Sequence, residues 1–197
     1  MSLLEEVLAA FTGNQVNVND LPKGDPAIAL GRVCAELFTD GVGTLRSIVP
    51  NERVAALSAV IWDLLGNKQV NIALGPPVSS LGFTVMEREG VWQALILIPH
   101  TWPKMVGADI FMQLGAILYT GVQAVDFYND RLLRDPTGPA RWHAYEAELL
   151  HTLQQKLKDW TPNEYQRTVM AKYPNGLDSP GVTLYPFKGY EPAKGSA

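Results

Sequence analysis

One cysteine, Cys34, stands in 197 residues. No intrachain disulfide can form, and a reducing, cytoplasmic setting is the expectation. Charge is scarce too: 18% of residues are charged and 47% hydrophobic, the apolar side of ordinary globular composition. The formal net charge is −4, and the tightest basic cluster is Lys156 with Lys158. A nucleic-acid surface needs a concentrated basic face, so that class is set aside. Long hydrophobic runs are missing as well. The longest tract, "VWQALILIP" (91–99), is broken by Gln93 and is strand-sized, well short of the roughly 18 residues of a membrane span. "MSLLEEVLAAF" has Glu5 and Glu6 where a signal peptide carries positive charge, and reads as an amphipathic helix. The expectation is a soluble protein without membrane insertion, with apolar surface left over for a partner.

What is present is mostly helical periodicity. Leu3, Leu4, Val7, Leu8 and Phe11 recur at helical spacing before Gly13. After a polar loop (14–25), Asp25 and Pro26 open a second helix with Leu30, Val33, Cys34 and Leu37 on one face. Asp40 and Gly41 are expected to end it, with a short helical piece over 43–49. Asn51 caps a third helix through Leu65. The period then changes to that of strands. "LGFTVME" and "VWQALILI" flank the charged turn "EREG" and predict an antiparallel hairpin over 81–98, with 69–74 a candidate third strand. Helical patterning resumes over 103–135, again over roughly 140–159 after "DPTGP", and from a Thr161 cap to Lys172. The fold class is therefore α+β and predominantly helical, with one small antiparallel sheet. Residues 1–173 form a single domain with the hairpin inserted, and 174–197 form an extended tail.

The helix through 108–130 has two faces. Ile110, Leu114, Ile117, Leu118, Gly121, Val125 and Tyr128 make a core stripe. Asp109, Gln113, Thr120, Gln123 and Asp130 make a polar one. That stripe either faces water or a neighbouring helix edge, or lines a pocket or subunit seam. If it is merely wet, Asp109→Ala and Gln123→Ala cost little.

Motifs that would name a reaction are weak. "FMQLGAILY" (111–119) has the frame of a zinc-peptidase helix, but Met112 and Ala116 occupy the ligand places and Gln113 that of the base. His143 and Glu146 sit three residues apart, but the chain lacks the further inward acids of a two-metal carboxylate bundle. Neither a metal nor a cofactor is expected. Cys34 lies on an apolar helix face, as a buried small hydrophobe does. Ser79 and Ser80 have no base at legible spacing. "GVGTLRS" (41–47) lacks the lysine of a phosphate loop.

Two functions remain. The first is a non-catalytic accessory or scaffold subunit that binds a protein partner or itself. The low charge and the tail carry it: prolines forbid helix there, while Tyr173, Leu184, Tyr185, Phe187 and Tyr190 supply apolar area for another surface. The second is a small enzyme or ligand-binding protein with a pocket between the 81–98 hairpin and the 103–135 helix. There His100, Asp126, Asp130, His143 and Glu146 supply acid–base chemistry.

Overall fold

The computed structural model describes residues 2–12, 26–75, 80–99, 102, 109–129, 132 and 134–185, and of 8–12 and 26 the backbone only. Its elements, in order, are α1 (Leu3–Thr12), α2 (Pro26–Ser47), α3 (Glu52–Gly66), β1 (Val70–Gly75), β2 (Gly82–Arg88), β3 (Val91–Pro99), α4 (Ile110–Tyr128), α5 (Gly138–Lys156), α6 (Glu164–Lys172) and a 3-10 turn (Gly176–Asp178). The α+β, mainly helical architecture follows from the patterning.

Local chemistry sets the helix boundaries. Asn51 caps α3, its side chain accepting from the amides of Arg53 and Val54. Asp109 does the same for α4 with Phe111 and Met112. Asn163, rather than Thr161, caps α6, because a reciprocal pair forms there: Asn163 accepts from the Gln166 amide and Gln166 accepts from that of Asn163. α2 departs furthest from expectation. It runs unbroken through Asp40 and Gly41, because Val42 and Leu45, both fully buried, extend the face of Val33, Leu37 and Phe38. That burial outweighs the ~1 kcal/mol helix penalty of glycine.

The sheet has the order β1-β3-β2. β2 and β3 form the expected antiparallel hairpin, joined by Glu89 and Gly90, both at positive φ (53° and 77°), the two-residue turn that matches strand twist. The third strand corrects the all-antiparallel expectation. β1 lies parallel to β3, Val70 beside Ala94 and Leu74 beside Ile98, so the sheet is mixed. That register sets Val70, Ile72 and Leu74 on the same face as Ala94, Ile96 and Ile98. The Tyr128 hydroxyl secures it, donating to the Gln69 carbonyl and accepting from the Ala94 amide.

One layer of helices covers this face. α4 is central, packing on α2, α3, α5 and both hairpin strands. Leu114, Ile117 and Leu118 are fully buried and Val125 is 3% exposed, as its core stripe requires. α4 is long and apolar enough to cross a membrane, yet 72% of its apolar stretch is buried inside the protein, the position of a core helix.

Candidate functional site

α4 and α5 pack side by side, and of the polar residues singled out in the sequence Asp126, His143 and Glu146 fall along their seam. At one end is Asp126, 4% exposed. Its Oδ2 accepts from Arg141 Nη2 at 2.5 Å and from the Trp142 indole at 2.6 Å. Arg141 Nη1 also donates to Asp135 Oδ2 at 2.8 Å and to the Thr183 carbonyl at 3.2 Å. The Arg141 guanidinium lies 5.0 Å from the centre of the Tyr185 ring. Burial disfavours the guanidinium's charge, but the carboxylates of Asp126 and Asp135 more than offset it and raise its pKa. Asp126 is thus the counterion of a buried arginine.

Further along is Glu146, 3% exposed. Its Oε2 accepts from the Tyr165 hydroxyl at 3.0 Å and lies 3.6 Å from His143 Nδ1, beyond hydrogen-bond length. The His143 ring sits 4.9 Å from that of Tyr119 and stacks at 6.4 Å on Tyr173. Burial and then the nearby Glu146 charge push the Tyr119 and Tyr165 phenols up, so both stay protonated as donors at neutral pH. Gly115 makes the carboxylate's place: a Cβ there would lie 3.1 Å from Glu146 Oε1. The two groups adjoin through Trp142 and Tyr119, whose rings meet edge-on at 5.8 Å, but share no hydrogen bond.

Of the acid–base candidates, the seam therefore brings His143 to Glu146 and sets Asp126 apart. His100 and Asp130 lie outside the described residues. The polar stripe of α4 is not uniformly wet. Asp109 caps the helix, Gln113 and Thr120 are 6% and 2% exposed, and Thr120 bonds back to the Ala116 carbonyl. Of the tail residues, Tyr173 is 5% exposed and Leu184 40%, Tyr185 lies over Arg141, and Phe187 and Tyr190 fall outside the described residues. Among the described residues, two cavities lie away from the hairpin–α4 junction. One is an apolar groove of about 370 Å³ bordered by Thr39, Trp62, Lys68 and Asn71. The other is a polar cleft of about 410 Å³ beside Asn51, Glu148 and His151.

Residue-type patterns do not single out Arg141 or Trp92. Trp92 had a signal nonetheless: it is in phase with Ala94, Ile96 and Ile98. Those three are fully buried, whereas Trp92 is 57% exposed and its neighbour Val91 58%. The covered face of the sheet therefore runs out past its helices at the hairpin tip. No family model, curated protein or solved structure matches the chain.

Proposed function

We propose that the protein is a non-catalytic scaffold subunit that assembles with a second copy of itself through the β2–β3 hairpin. The exposed indole of Trp92, at the end of an otherwise buried row, carries this reading. Folding leaves that area in water, and aromatic side chains of this kind dominate the energy of protein interfaces. β2 is an outer strand of the sheet, and among the described residues no strand pairs with its far edge. Antiparallel pairing of two β2 strands about Val85 sets Glu87 opposite Phe83 of the copy and Arg88 opposite Gly82. No like charges then meet across the join. Val91, beside Trp92, and Leu184 add further exposed apolar side chains. The acid–base alternative has less behind it, because Asp126 and Glu146 already serve Arg141, Trp142 and Tyr165.

Sedimentation equilibrium over a wide concentration range tests the reading. A reversible dimer is expected, and Trp92→Ser should convert it to monomer with an unchanged circular dichroism spectrum. A wild-type chain that stays monomeric throughout, or a Trp92→Ser chain that dimerises equally well, overturns it.

A further inference from the structure

We propose that the polar cleft between α5, the N-terminus of α3 and the 3-10 turn binds a primary alkylammonium group, the Nζ of a lysine or a free alkylamine. A count of donors and acceptors carries this.

Asn51 is saturated. Its Oδ1 accepts from Arg53 and Val54, and its Nδ2 donates to Glu148 Oε1 at 3.0 Å and Thr152 Oγ1 at 2.9 Å. Glu148 Oε2 takes the Leu177 amide at 3.0 Å. Each carboxylate oxygen therefore holds one donor and keeps a lone-pair site open. Thr152 Oγ1 donates to the Glu148 carbonyl and keeps one as well. His151 Nε2 lies 2.9 Å from the Tyr173 carbonyl. A carbonyl only accepts, so Nε2 carries the hydrogen, and on the neutral ring Nδ1 is an acceptor with no partner among the described residues.

The open valences are thus concentrated in acceptors: Glu148, Thr152 and His151. Among the residues lining the cleft, the spare side-chain donors are the exposed amides of Gln155 and Asn175. Charge agrees with this. Asp178 holds the Arg53 guanidinium in contact at 2.9 Å, and Glu148 feels that charge only from a distance, with no salt bridge of its own among the described residues. Among the described residues no group of three His, Cys, Asp or Glu side chains is placed to hold a metal ion. A cation that brings its own three N–H donors fits better than a bare one.

The carboxylate is also held in advance. Gly176, at φ +54°, lies so close that a Cβ would sit 2.1 Å from Glu148 Oε2, so the turn backbone wraps the acid directly. A group fixed from both sides loses little freedom when a ligand arrives. The cleft, at about 410 Å³, also has room for the alkyl chain behind the ammonium.

The test is a titration of the full chain followed by the imidazole ¹H–¹³C resonances of His151. The probes are n-butylammonium chloride, the peptide acetyl-Gly-Lys-Gly-amide, and tetramethylammonium chloride, which has charge but no N–H. A saturable His151 shift is expected with at least one primary amine and none with tetramethylammonium. Tighter binding of the peptide identifies a lysine side chain as the source, and equal or tighter binding of butylammonium identifies a free amine. Glu148→Gln should weaken binding about tenfold or more. No saturable shift with either amine, an equal shift with tetramethylammonium, or unaltered binding by a folded Glu148→Gln protein overturns the proposal. Should that variant fail to fold, the comparison of primary and quaternary ammonium on the wild-type chain decides.

Discussion

Arg141 Nη2 and Asp126 Oδ2 meet at 2.5 Å with their side chains only 4% and 6% exposed. Removing Asp126 leaves the buried guanidinium with Asp135 as its remaining carboxylate and takes the acceptor from the Trp142 indole. Asp126→Ala is expected to cost about 3–5 kcal/mol of stability. The Arg53–Asp178 pair is a built-in control. It has a similar geometry at 2.9 Å, but its side chains are 43% and 68% exposed, and Asp178→Ala should cost under about 1 kcal/mol. Urea denaturation of both variants checks the contrast, and equal losses contradict it.

The same network sets an acid limit. Burial alone would raise the Asp135 pKa, but hydrogen bonds from the Thr137 hydroxyl and amide, and then the Arg141 guanidinium, hold it down at about 2 against an ordinary 3.8. A carboxyl depressed in the folded state contributes stability that is fully present above its unfolded pKa and lost as pH falls through the folded one. Stability should therefore decline as pH falls from about 4 to about 2. Asp135→Asn should flatten that part of the curve while lowering its plateau. Thermal unfolding across this range, wild type against variant, measures both effects.

Gly115 and Glu146 yield a test by sign. Alanine is better than glycine inside a helix by ~1 kcal/mol, so Gly115→Ala ought to stabilise α4. Its Cβ, however, would press on Glu146 Oε1 at 3.1 Å, and that carboxylate is held by Tyr165 and has little room to yield. Overpacking typically costs about 1–3 kcal/mol, so the net change should be destabilising. In a Glu146→Ala background the obstacle is gone, and the same substitution should become neutral or stabilising. Chemical denaturation of the four proteins in this cycle decides it. A substitution with the same sign in both backgrounds rules out the contact as the reason for glycine.

The sequence made most of this fold legible because periodicity reports which faces are buried. The stripe of α4 and the β2–β3 hairpin could be read from spacing and turn residues alone. The continuity of α2 could not, since Asp40 and Gly41 look like a stop until Val42 and Leu45 find a core to enter. The parallel setting of β1 depends on Tyr128, some 58 residues beyond Val70 in the chain. The buried ion pair escaped for the same kind of reason. An aspartate and an arginine 15 residues apart bear no fixed relation until a turn folds α5 back on α4. The hairpin tip is half visible: alternation puts Trp92 in phase with Ala94, Ile96 and Ile98, but only the end of the helical layer shows that it emerges into water.

Asp109 is where sequence reasoning and structure differ most usefully, and the difference can be measured. As a member of a wet stripe it would cost little to remove. Instead its Oδ1 accepts from the Phe111 and Met112 amides, both at 3.1 Å, and its Oδ2 accepts from Asn163 Nδ2 at 3.2 Å. Asn163 itself caps α6 through the Gln166 amide. Two helix N-termini are thus tied by one contact between their caps. Loss of a cap costs about 0.5–2 kcal/mol, so Asp109→Ala and Asn163→Ala should each fall in or just above that range. Each single change also strips the other cap of its partner. The double variant should therefore lose less than the sum of the singles, by about 0.5 kcal/mol or more, the coupling expected of side chains in direct contact. Gln123→Ala, on the same stripe but with no cap to lose, should change stability by under about 0.5 kcal/mol. Strict additivity of the first two would mean that the caps act independently and that the Asp109–Asn163 bond contributes nothing to holding the two helix N-termini together.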